Sequence, residues 1–62
     1  MKLKELREEN GLTQFDVANI LNVKQNTYSQ YENGKRQLPI DVLIKLAKFY
    51  NATTDYILGL EN

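Results

Sequence analysis

The chain has 62 residues and contains neither cysteine nor histidine, which excludes disulfides and the usual zinc ligand sets and holds it to one domain near the lower limit of unaided folding. Its core must come from aliphatic and tyrosine side chains alone, a requirement that favours compact helix packing. Eight basic and eight acidic residues cancel, which counts against a nonspecific nucleic-acid binder relying on phosphate neutralisation but leaves room for one that reads sequence.

Helical spacing runs through almost the whole chain. Leu3 and Leu6 mark a charged first helix that stops at Asn10-Gly11, a good left-handed terminus. Thr13 and Asp16 form a T-x-x-D capping box that starts a second helix, with Val17, Ala18 and Leu21 on one face. Asn22 ends it, since asparagine tolerates positive φ better than other non-glycine residues.

The next segment, Gln25 to Pro39, is ambiguous. Asn33-Gly34 is a hairpin signal, and threonine and tyrosine favour strands, so a hairpin through Thr27 to Leu38 competes with a helix. Tyr28 and Tyr31 decide it: three apart, they share a helix face but lie on opposite faces of a strand. A helix is therefore expected, with Thr27, Tyr28 and Tyr31 docked and Gln25, Asn26, Ser29 and Gln30 facing outward. Beyond it, Pro39 opens a fourth helix, with Ile40, Leu43, Leu46, Ala47 and Tyr50 at core spacing and Asn51 closing it. Thr53 or Thr54 caps a last short helix through Tyr56, Ile57 and Leu58, ending at Gly59. The expected fold is all-α: five short helices in a single domain over residues 1–62, with no linker, repeat or low-complexity tract.

The third helix is short and built from weak formers, so it depends on docking through its tyrosines and Val23. Solvated helix faces usually carry Lys, Glu and Arg, whereas this one carries amides and a hydroxyl. An Asn or Gln amide offers donor and acceptor side by side, the pattern that matches adenine N6 and N7 in the DNA major groove. The bland alternative is that these side chains are merely exposed.

Several motifs stand in order along the chain: Leu12-Thr13-Gln14, Ala18, the Leu21-Asn22-Val23 turn, Tyr31 to Gln37 (YENGKRQ) and Thr54 to Gly59 (TDYILG). With them the chain resembles, over essentially its whole length, the phage repressor/Cro-like (Xre-type) helix-turn-helix regulators. The resemblance implies a five-helix repressor-like domain whose second and third helices form the motif. It implies base reading by Gln25, Asn26, Ser29 and Gln30. It implies DNA-backbone contacts from Gln14, Lys24, Thr27, Asn33, Lys35 and Arg36, with Gln14 also bracing the first residue of the recognition helix. Glu32, disfavoured by the dipole at a helix C-terminus, matches a position paired with an arginine, here Arg7, in a structural ion pair. Ala18 is expected at a close helix crossing that a bulkier residue would overpack.

Three departures from the family pattern stand out. Lys24 replaces a Ser or Thr N-cap, at a cost of about 1 kcal/mol. Tyr28 replaces a branched aliphatic, so its ring is expected to be partly buried with the hydroxyl at the surface. Phe15 and Ile20 are extra apolar residues on the second helix, extending the core edges or offering a surface to a protein partner.

The leading expectation is a sequence-specific, double-stranded DNA-binding transcriptional regulator, a repressor acting as a homodimer on a two-fold symmetric operator. Its dimer surface would be the C-terminal half, around Phe49, Tyr50, Ile57, Leu58 and Leu60. The alternative is a protein-interaction module, antitoxin-like or anti-repressor-binding, on the same scaffold. No enzymatic activity, cofactor or metal is expected: no metal-ligand constellation or phosphate-cradling loop is present, and Ser, Thr and Tyr have no evident base. No apolar run reaches the roughly 18 residues of a membrane span, no signal-peptide pattern precedes the first charged turn, and a cytoplasmic location is expected.

Overall fold

The computed structural model describes residues 1–61; the expected domain's last residue, Asn62, lies outside the described residues. Five helices follow one another among the described residues: α1 (Leu3–Glu9), α2 (Gln14–Leu21), α3 (Gln25–Glu32), α4 (Ile40–Tyr50) and α5 (Thr54–Leu58). There is no strand among the described residues. The helix reading of Gln25 to Glu32 therefore holds against the hairpin, because burying both tyrosines on one side requires helical spacing.

All five helices stop in the same way. Gly11, Asn22, Gly34, Asn51 and Gly59 take positive φ, each just beyond a helix. After each, the chain folds back so that the next residue's N–H reaches a carbonyl five positions earlier: Leu12 to Arg7, Val23 to Ala18, Lys35 to Gln30, Ala52 to Ala47 and Leu60 to Asp55. The left-handed residue itself donates to the carbonyl three positions back, which completes the Schellman arrangement and satisfies orphan carbonyls. Each helix end is thus a sharp reversal that keeps connections short.

At the starts, Thr13 and Asp16 form a reciprocal capping box on α2. Thr53 accepts from the Tyr56 N–H at α5, and its hydroxyl also bonds the Glu61 carboxylate. Pro39 occupies the extended cap position before α4, where its missing N–H costs nothing.

One core cluster joins all five helices: Leu3 and Leu6, Val17, Ala18 and Leu21, Tyr28 and Tyr31, Val42 and Leu46, and Ile57. Helices α2 and α3 pack closely together, with Ala18 buried between neighbours. The two ends of the chain are tied by the Lys2 N–H donating to the Ile57 carbonyl at 2.8 Å.

Three expectations are corrected. Ile40 is 76% exposed, and Val42 takes the core position instead. The apolar stripe of α4 is centred on Val42, Leu43, Leu46 and Tyr50, which puts Ile40 about 105° off its centre. Tyr28 is fully buried, hydroxyl included, because α3 sits deep enough for the whole ring to enter the core. Ile57 is likewise fully buried in the core cluster, so it is unavailable to a dimer surface.

Candidate nucleic-acid interface

Helix α3 enters from Val23, a half-buried anchor whose N–H is held by the Ala18 carbonyl of α2 at 2.9 Å. Lys24 then takes the cap position in extended conformation, with no side-chain bond to the first turn. Lysine carries no acceptor, so the leading N–H groups of α3 have no side-chain partner there. Lys24→Ser is expected to stabilise the fold by about 0.5–1 kcal/mol by accepting from the Thr27 N–H. Thermal melting checks this; a lower midpoint would show instead that the lysine stem holds the helix start.

Tyr28 and Tyr31 dock the helix at 0% and 4% exposure. On the other side, Gln25 and Asn26 are exposed, while Ser29 and Gln30 are half-buried at the margin. Thr27 is half-buried nearer the docked side. The result is a short polar face of fixed orientation on an otherwise apolar anchor.

Beyond α3, the reversal at Gly34 brings the loop back against the helix. The Lys35 and Arg36 N–H groups both donate to the Gln30 carbonyl, at 2.9 and 3.3 Å. The Arg36 side chain follows, its Nε donating to Gln30 Oε1 at 2.9 Å. Lys24, Lys35 and Arg36 form no ion pair among the described residues, so three cations stand at the two ends of the polar face with their charge available. Asn33 is exposed in the same loop.

Behind the face lies a polar cluster that holds α3 in place. Arg7 Nε donates to Glu32 Oε2 at 2.6 Å, and Arg7 Nη2 reaches Oε1 at 3.3 Å, a two-pronged contact that matches fork to carboxylate. Arg7 Nη1 also donates to the Leu12 carbonyl at 2.9 Å, joining α1 to the α1–α2 turn. Gln14 donates through Nε2 to Glu32 Oε1 at 3.1 Å. Gln14 therefore braces the last residue of α3, and no hydrogen bond links it to Gln25 among the described residues.

The Glu32 side chain is only 3% exposed. Burial pushes its carboxyl pKa up, but hydrogen bonds from Arg7 and the Gln14 amide, the proximity of the Tyr28 hydroxyl and the Arg7 charge together outweigh it, so the net shift is downward. The carboxylate form is thus favoured despite a helix C-terminus that disfavours it. The hydroxyls of Tyr28 and Tyr50 are buried without a hydrogen-bond partner among the described residues. Burial first, and then the Glu32 carboxylate, raise the Tyr28 phenol well above its usual range. Tyr50 is raised by burial, with the Arg7 charge opposing. Nothing in the local sequence around either tyrosine signals these buried hydroxyls; they follow from the depth of packing.

The remaining apolar candidates divide. Phe15 is 57% and Ile20 43% exposed, yet five positions along one helix they point about 140° apart and form no single patch. In the C-terminal half, Phe49, Leu58 and Leu60 are exposed at 44%, 37% and 72%. The Phe49 ring meets the half-buried Tyr50 edge-on, with centroids 5.0 Å apart.

Two closely packed helices joined by a left-handed Asn22 turn, the second presenting an amide face flanked by cations, define a helix-turn-helix domain. A family model described as Helix-turn-helix matches residues 3–57, and the chain belongs to that family. It is similar to the HTH-type transcriptional regulator ImmR of Bacillus subtilis (strain 168), 45% identical over 58 residues, which make up 94% of this chain and 46% of that protein. The uncharacterized HTH-type transcriptional regulator YobD of the same organism is 36% identical over 59 residues, 95% of this chain and 53% of its own. The cryptic phage CTXphi transcriptional repressor RstR of Vibrio cholerae is 45% identical over 49 residues, 79% of this chain and 44% of its own. The chain spans about half the length of these relatives. No solved structure matches it significantly. None of the described helices is long and apolar enough to cross a membrane.

Proposed function

We propose that this domain is the DNA-reading part of a transcriptional regulator, acting in the cytoplasm as a repressor and not as an enzyme. The observation that carries the reading is the face of α3: Gln25, Asn26, Ser29 and Gln30 point away from two buried tyrosines, at a spacing suited to base edges in the major groove. Lys24, Lys35 and Arg36 flank that face without acidic partners among the described residues, and with Gln14, Thr27 and Asn33 they supply contacts to the phosphate backbone. The names of ImmR and RstR, a transcriptional regulator and a transcriptional repressor, support the same direction.

An eight-residue helix reads only a few base pairs, so the domain works as a homodimer on a two-fold symmetric operator. The exposed Phe49, Leu58 and Leu60 form the dimer surface. Selection of bound sites from random duplex DNA tests this. Two inverted half-sites about 10 base pairs apart are expected, with a log–log salt slope of about −5 from three cations per protomer. No selected motif, or a slope near zero, overturns the reading. Recovery of a protein partner lost on Phe15→Ser, without any selected DNA, would favour the protein-interaction module, which the exposure of Phe15 and Ile20 supports.

A further inference from the structure

The Arg36–Gln30 contact changes what the end of α3 can read. We propose that Arg36 and Gln30 act as one composite reader that selects guanine, which makes Arg36 a specificity-determining residue and more than a phosphate contact. The inference rests on the DNA-reading function proposed above.

Arginine has donors and no acceptor. With Nε of Arg36 at 2.9 Å, Gln30 must present its carbonyl oxygen to the guanidinium and turn its amide NH2 away. A free glutamine offers adenine a donor and an acceptor together. Here the acceptor already receives a charge-assisted bond, so the exposed edge of the pair consists of the Gln30 NH2 and the remaining guanidinium N–H groups. Such a donor-only edge matches N7 and O6 of guanine, two adjacent acceptors that adenine does not offer.

The contact has a structural origin. Gly34, at φ +73°, reverses the chain so that Lys35 N–H closes onto the Gln30 carbonyl at 2.9 Å, and Arg36 N–H reaches the same carbonyl at 3.3 Å. The backbone of Arg36 is thus fixed beside Gln30 before its side chain bonds the amide. Lys35 is also exposed but makes no side-chain hydrogen bond among the described residues. It remains a point charge for phosphate.

The test compares wild type, Arg36→Ala, Arg36→Lys and Lys35→Ala in binding-site selection, followed by affinities on single-base variants of the selected site. Wild type is expected to select guanine at one position in each half-site. Arg36→Ala should lose about ten- to hundredfold in affinity for guanine over other bases at that position alone, with adenine gaining there as the Gln30 amide is released. Arg36→Lys restores charge without the fork and should not restore guanine. Lys35→Ala should weaken all sequences alike and keep the guanine. A uniform loss in Arg36→Ala with the guanine retained overturns the composite reader and returns Arg36 to the phosphates. A wild-type motif without guanine also overturns it while leaving the DNA-reading function standing. Absence of any wild-type motif removes both.

Discussion

Glu32→Gln is expected to destabilise the domain by about 2–3 kcal/mol, lowering the thermal midpoint by roughly 10–20 °C. Removing one partner of a buried pair usually costs about 3–5 kcal/mol; the lower figure applies because the Arg7 side chain is 12% exposed and can recover some hydration. The loss is large for this chain, since a domain of this size has only about 3–9 kcal/mol in total. Glutamine conserves the volume, so the change isolates charge from packing. It also weakens the brace from Gln14 and leaves the buried Tyr28 hydroxyl facing a neutral amide. Thermal melting followed by circular dichroism checks it, and a midpoint within a few degrees of wild type would show that the Arg7–Glu32 pair contributes orientation and little stability. In the double variant Arg7→Met/Glu32→Gln, part of the loss should return, because the uncompensated guanidinium has gone.

The pair also sets an acid limb. The folded-state pKa of Glu32 lies below its ordinary value of 4.5. Its stabilisation is therefore complete above about pH 4.5 and is lost as pH falls through the folded value. Asp16, lowered by the Thr13 backbone N–H and hydroxyl, adds to the same limb. The share due to Glu32 is the difference between the acid titrations of wild type and Glu32→Gln, which should narrow toward low pH.

Simultaneous change of Gln25, Asn26 and Gln30 to Ala is expected to remove selective DNA binding. Each well-placed amide supplies about 1–3 kcal/mol of base discrimination, so three together represent at least a hundredfold, roughly. Nonspecific binding should remain, carried by Lys24, Lys35 and Arg36. Stability should change by less than about 0.5 kcal/mol, because alanine is a better helix former and the docking tyrosines are untouched. Footprinting or competition against random duplex reads the first effect and thermal melting the second. Selective binding that survives the triple change would remove α3 as the reading element.

The division of α3 into faces was legible because it depends only on the helical period and on where two tyrosines fall. The helix ends at Gly11, Asn22, Asn51 and Gly59 were legible for a similar reason, since positive φ excludes most side chains, whereas Gly34 stood in an Asn-Gly pair that signals a hairpin turn as well. The capping box on α2 is equally local, needing only Thr13 and Asp16 three apart.

Burial depth was not legible to the same degree. Tyr28 was expected to be partly buried with its hydroxyl at the surface, because it replaces a branched aliphatic, yet the hydroxyl lies inside near Glu32 and Tyr50. Ile40 matched a core stripe by spacing but sits at its flank, since an eleven-residue helix admits more than one apolar stripe and its neighbours select between them. Ile57 looked available for a partner, and α5, only five residues long, spends it on the core.

Most helix boundaries, and the division of α3 into a docked and a polar face, could be read from the residues alone. Both follow from steric limits and periodicity acting within a few residues. That Gln14 braces Glu32 and that Arg36 turns back onto Gln30 became visible only once the helices were packed. Those contacts join residues whose separation in space is set by how the helices pack and how the loop reverses, so no local rule specifies the partners.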